Sequence, residues 1–333
     1  RISGNESVAY GGALFTNGSP DFVIKSSLIS GNVSDQGAAI WHAYTSFTHT
    51  NITVTGNRAT TRGGAFGLGV SNGNIRNTIV YGNSASTAGT EAVYLSASTL
   101  IQNASIIQGG FDAATDADPL FIAPEPAASA PTSIGNYRIQ KCSPALNGGN
   151  NTHLSGSDIS DLDFTQRVQQ IRVDMGAYEL NIIFAIPGAG GIIYVDSSKT
   201  GNGSSWANAT PSLSDALQAA KFNSAITQIW VAKGTYYPVY DARDGRGLAC
   251  TNTNRNNSFV LVNNVKIYGG FNGTETIVSQ RDFVTNKTTL NGDIGTIGLQ
   301  DDNCYHVVVS AGNVGTAELD GFSIINGRGL QTG

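Results

Sequence analysis

Asp158, Asp161, Asp163 and Asp174 form the densest acidic group in the chain, with Arg167 and Arg172 close to them in sequence. Carboxylates two and three residues apart can converge in a loop and supply the hard oxygen ligands that Ca²⁺ takes. The same spacing suits a network of salt bridges and turn caps, in which each carboxylate meets an arginine or accepts backbone N–H groups. The network is the favoured reading, because an irregular segment needs such bonds to hold it; Ca²⁺ stays as the alternative.

The elements that would position these residues begin with a repeat over residues 1–111. A Gly-Asn pair recurs at Gly4-Asn5, Gly31-Asn32, Gly56-Asn57 and Gly82-Asn83, and a second glycine series, Gly11, Gly37, Gly63 and Gly89, recurs every 26 residues. A fixed period of this length is the signature of a solenoid. Each period holds three short apolar or β-branched runs, as in Ala39-Ile40-Trp41, Ser46-Phe47-Thr48 and Ile52-Thr53-Val54, and none has helical spacing. Three strands per turn predict a parallel β-helix whose coils stack about 4.8 Å apart. The glycines are expected at corners with φ > 0, and Asn5, Asn32, Asn57 and Asn83 in a ladder of turn side chains.

That period tests for an enzyme. A polysaccharide lyase or hydrolase on stacked coils needs two or more carboxylates at neighbouring coil positions. One period after Glu6, Asp21 and Asp35 stand Asn32, Phe47 and Thr61, and one period before Glu91 stands Ala65. No two acids stack in the regular coils, so a catalytic role is not expected. His42, His49, His153 and His306 lack ligand spacing and read as surface or ladder residues. Trp41, Tyr44 and Phe47 have the chemistry to stack on a sugar, but Trp41 and Phe47 fit strand positions that read as core. Cys250 and Cys304 are a candidate disulfide, with Cys142 standing apart before Ser143-Pro144.

After Gly110 the repeat stops, and an irregular segment, 112–180, carries in order Asp118-Pro119-Leu120-Phe121, Tyr137-Arg138-Ile139, Ser143-Pro144-Ala145-Leu146-Asn147-Gly148-Gly149, Asp161-Leu162-Asp163 and Asp174-Met175-Gly176-Ala177-Tyr178-Glu179. A segment that covers the exposed strand edges of the last coil is physically expected here. This succession resembles the choice-of-anchor Q domain, which closes right-handed parallel β-helix proteins on bacterial surfaces, especially in Bacteroidota. The resemblance implies a right-handed coil and a secreted, cell-surface setting. The family usually continues into an anchoring signal after Tyr-Glu, whereas this chain goes on into more folded sequence.

Residues 181–191 read as a glycine-rich linker. Over 192–333, strand-like runs alternate with turns around one convincing helix at Pro211–Ala220, which has Ser212 at its start and Leu213, Ala216, Leu217 and Ala220 on one face. The order resembles the amino-terminal cap and first coils of the same β-helix families, pectate-lyase-like surface proteins among them. The chain therefore reads as the end of one β-helix followed by the start of another, a window cut from a longer tandem array.

Charged residues make up 13% of the chain and the net charge is −5, with no basic patch of the kind a phosphate backbone requires, which excludes a nucleic-acid binder. No apolar run approaches membrane-spanning length. Together these features predict an all-β solenoid in two partial modules, acting as a non-catalytic stalk or filament shaft in a large extracellular adhesin. Its expected partners are neighbouring copies or modules, head to tail along the axis. The rival reading is a glycan-binding or lyase-like domain.

Overall fold

The computed structural model describes residues 1–169, 172–182, 184–242 and 254–329. It divides the chain into two compact units, Arg1–Asn181 and Ile182–Gly333.

The first unit is a stack of coils whose four sheets are parallel, because each strand pairs with its counterpart one repeat away, while the segment after the coils adds one antiparallel pair, Phe121–Ala123 with Asn136–Ile139. The first sheet comprises Ile2–Ser3, Leu28–Ser30, Thr53–Thr55, Ile79–Tyr81 and Ile106–Ile107. The second comprises Val33–Gln36, Arg58–Arg62 and Ser84–Ala85; the third, Leu14–Asn17, Ile40–Ala43, Phe66–Gly69 and Val93–Ser96. The fourth comprises Phe22–Lys25, Ser46–Thr50, Asn72–Arg76 and Thr99–Asn103. A full coil thus uses four strands, where the sequence predicts three. The unexpected one is the polar second strand, which has no apolar period and becomes a strand only because a neighbouring coil supplies its hydrogen bonds.

Register alternates side chains between core and exterior. Ile29, Val54, Val80 and Ile107 align in one inward column of the first sheet, and Ile40, Phe66 and Val93 in one column of the third. These side chains, with Phe47, Leu68, Ile75 and Leu100, make one continuous core. Successive ladder residues lie 27, 25 and 26 positions apart, so coil length varies while the columns stay in line.

The segment after Gly110 does less capping, and more flanking, than the sequence suggests. Thr115 pairs with Ile106 at the last coil, and Phe111 and Ala114 pack on the end of the core. The chain then returns along the outer face of the first sheet. The Ala177 N–H bonds to Thr53 Oγ1 at 3.0 Å, the Thr132 N–H to the Gly31 carbonyl at 2.9 Å, and Arg167 Nη2 to Ser26 Oγ at 2.8 Å. Leu28, Thr53, Ile79 and Ile106, which point away from the core, are buried beneath it. Gly176, at φ +98°, sits so close to that sheet that a Cβ would lie 2.7 Å from Thr53 Oγ1.

In the second unit, parallel sheets are formed by Ile192–Val195, Gln228–Ala232, Lys266–Phe271 and Glu318–Asp320, by Gly234–Tyr236, Thr288–Asn291 and Phe322–Ile325, and by Phe259–Val260 with Val308–Val309. The α-helix among the described residues, α1, spans Leu213–Phe222. Ser212 caps it by accepting the Asp215 N–H at 3.0 Å, and Leu213, Ala216, Leu217 and Ala220 are buried. The glycine-rich stretch before Ile192 packs onto this unit: Phe184 stacks on Phe222, and the Ile186 N–H bonds to the Asn202 carbonyl at 2.7 Å. No helix among the described residues is long and apolar enough to cross a membrane.

Candidate functional site

Asn5, Asn32, Asn57 and Asn83 stand at the corner between the first and second sheets, each following a left-handed glycine. Asn5 Nδ2 donates to Asn32 Oδ1 at 2.9 Å, Asn32 Nδ2 to Asn57 Oδ1 at 2.8 Å, and Asn57 Nδ2 to Asn83 Oδ1 at 2.9 Å. Each acceptor oxygen also takes the backbone N–H of the preceding ladder residue. Gly11, Gly37, Gly63 and Gly89 all have positive φ and form the corner between the second and third sheets. Asn291 and Asn326 make a similar contact in the second unit, at 2.9 Å.

The four aspartates do not converge on one point. Asp158 pairs with Lys25 at 3.1 Å and accepts the Ser155 N–H at 2.7 Å. Burial alone would raise its carboxyl, but Ser155 and Lys25 outweigh burial and hold it below the usual range. Asp163 forms a two-pronged pair with Arg138, at 2.5 and 2.6 Å. Asp161 and Asp174 enter a buried network with Arg167 and Glu179, a residue that the acidic spacing does not single out. Asp161 Oδ1 accepts the Asp163 and Thr165 N–H groups at 2.9 and 2.7 Å, and Oδ2 accepts the Glu179 N–H at 2.7 Å. Asp174 accepts from Asn147 N and Leu180 N at 2.6 and 2.8 Å. Glu179 accepts from Arg167 Nη1 at 2.9 Å and from Asp174 N at 3.0 Å. Burial pushes Asp174 up to about 7, and burial with the adjacent Asp174 charge pushes Glu179 up to about 9. Every carboxylate oxygen of the three acids is occupied, and Arg172 lies exposed. Among the described residues no group of three or more histidines, cysteines and acids could hold a metal ion.

The histidines correct the sequence reading in part. His306 is exposed, and half-buried His153 meets Asn103 Oδ1 at 2.7 Å. His42 and His49 are instead completely buried, with their Nε2 atoms 3.0 Å apart. The signal for this is parity: His42 follows inward Ile40 by two residues, and His49 follows inward Phe47 by two.

Parity also corrects Trp41. Phe47 lies in the core, and Trp41 is buried as well, but it faces outward from the third sheet under its neighbours, in register with Phe15, Gly67 and Tyr94. Its ring lies over Gly67, where a Cβ would come within 2.2 Å of it, and Tyr10 packs at 4.6 Å. Tyr10 and Phe15 remain 43% and 48% exposed. Beside them Arg62 lies 4.2 Å over the Tyr94 ring and donates to Gln36 Oε1 at 2.8 Å. Tyr44 is exposed on a neighbouring corner. Cys304 carries a free, buried thiol, which corrects the expected Cys250–Cys304 bridge; burial raises that thiol to about 11. Cys250 itself lies outside the described residues.

No protein-family model, curated protein or solved structure matches this chain.

Proposed function

We propose that the chain is a non-catalytic structural module of a large secreted or cell-surface protein, a stalk or filament shaft built from right-handed parallel β-helices. The observation that carries this reading is the parallel stack of coils, with the Asn5–Asn32–Asn57–Asn83 ladder along its axis. Such a stack joins each coil to the next by backbone bonds, so it resists local opening and suits a spacer. The resemblance of 112–180 to the choice-of-anchor Q domain supports a surface setting and an adhesin or filament context. Neighbouring copies or modules are the proposed partners, meeting head to tail in a contact that does not close. Electron microscopy of the full-length secreted protein tests this: rods are expected, lengthening by about 4.8 Å per coil. Release of unsaturated or reducing-end sugars from pectin-like or alginate-like polymers would overturn it.

The outward Phe15, Trp41 and Tyr94 with Tyr10 beside them support a second reading, glycan binding on the third sheet, since the exposed Tyr10 and Phe15 rings over buried Trp41, near Arg62 and Gln36, suit a sugar's apolar face and hydroxyls. Titration of Trp41 fluorescence with neutral oligosaccharides tests it. A saturable change lost in Phe15→Ala is expected, and none with any oligosaccharide would sink the idea.

A further inference from the structure

His42 and His49 occupy inward positions of the third and fourth sheets, within one coil. With their Nε2 atoms 3.0 Å apart, one proton lies between the two rings. On its far side His42 Nδ1 meets Thr16 Oγ1 at 2.6 Å, whereas His49 Nδ1 has no well-formed hydrogen bond among the described residues, its weak neighbour being the Thr48 backbone. Phe47 stacks on both rings, with centroids 4.0 and 4.7 Å away, and Phe22 and Phe66 complete the aromatic surround. Thr45 joins through the Thr16 hydroxyl at 3.1 Å. From these strands no carboxylate, lysine or arginine acts on either ring; the charge that bears on His49 is that of His42.

A first added proton would leave an imidazolium among phenylalanines with no counter-ion. A second would set N–H against N–H across 3.0 Å. We propose that His42 and His49 form an acid-sensitive latch in the core of the first unit. While both are neutral they tie the third and fourth sheets of one coil together, and acidification opens the coils around Leu14–Arg76 by charging the pair.

The sign follows from burial, which lowers His42 to about 3 and His49 well below its ordinary value. Folding therefore favours the neutral rings. The latch is fully closed above about pH 6.5, and each pH unit below that multiplies the open population by up to about tenfold per histidine.

The stack itself supplies the control. One coil further on, the positions of His42 and His49 are filled by Leu68 and Ile75, both fully buried. Hydrogen exchange, corrected for intrinsic rates, is measured on the whole chain and on the His42→Leu/His49→Ile double variant between pH 7 and pH 4. The expected result is a loss of protection of at least about tenfold in Ile40–Ala43 and Ser46–Thr50 of the parent, and a flatter profile in the variant. Equal profiles in the two proteins would overturn the latch. If the double variant does not fold, the imidazole NMR titration of the parent decides. Rings that stay neutral until those strands open support the proposal, and rings that protonate near pH 6.5 with the strand amides still protected overturn it.

Discussion

At the corner between the third and fourth sheets, Gly18, Tyr44, Val70 and Ala97 follow one another in successive coils, all with left-handed backbones. The geometry of the stack is imposed there on residues that resist it, and most of all on β-branched Val70 at φ +51°. Val70→Gly is expected to stabilise the first unit by about 1 kcal/mol in urea denaturation, the relief of left-handed strain outweighing the added freedom of the unfolded chain. The opposite case is Arg167, whose removal leaves buried Glu179 without its cationic partner and takes a positive charge from beside Asp174. Arg167→Met should cost about 3–5 kcal/mol and free the 112–181 segment for proteolysis. These two acids, Asp174 and Glu179, set a pH response. Their folded-state values are raised, so their contribution is full below about pH 4 and declines as pH rises through Asp174 near 7 and Glu179 near 9. Exchange of the Asn147 and Leu180 amides should therefore speed up from pH 5 to pH 9 beyond the intrinsic rate; a flat profile would count against it. Little of this was legible in the sequence. Spacing marked Asp161 and Asp174 as a group but could not show that Glu179 closes it, because the three meet only through the fold. The inward aim of His42 and the outward aim of Trp41 were written in the alternation about Ile40, which composition and ligand spacing do not weigh.

Strands in the first unit owe their existence to the neighbouring coil more than to their own residues. Asn57 shows how much one rung contributes, since its amide donates to Asn83 Oδ1 and to the Ile29 and Thr55 carbonyls while its oxygen serves Asn32. Asn57→Ala should destabilise by on the order of 3 kcal/mol by chemical denaturation, through partners left unsatisfied in the interior. Asn5→Ala, at the exposed end of the ladder, should cost far less. A related test is Gly73, whose added Cβ would fall 2.0 Å from the inward Phe47 ring. Gly73→Ala should cost about 1–3 kcal/mol, and much of that should vanish in a Phe47→Leu background. The glycine and asparagine columns, the helix α1 and the apolar strands were readable because each carries a period or a cap. The second strand of each coil, exemplified by Arg58–Arg62, was not readable, because nothing in Arg-Ala-Thr-Thr-Arg announces a strand until Val33–Gln36 lies beside it. The course of 112–180 along the flank was equally hidden, as only the apolar outer residues Leu28, Ile79 and Ile106 hint that the first sheet needs cover.

The chain as a whole consists of two units, each with its own buried core. Calorimetry should accordingly resolve two transitions, and a single transition with equal calorimetric and van't Hoff enthalpies would contradict this division. The Gly11 series made the solenoid of the first unit visible from the sequence. The second unit has longer and less regular returns between paired strands, so its order emerged from the succession of strands and not from a period. One property of the first unit has a practical side. Its ladder steps of 27, 25 and 26 residues show that surplus chain is taken up where the path bends, leaving the columns aligned. A single residue added inside Ser46–Thr50 would turn Phe47 and His49 toward water and bring threonines into the core. A foreign peptide spliced between Gly18 and Asp21 should instead ride outside the coils, which makes that bend a natural place to carry cargo.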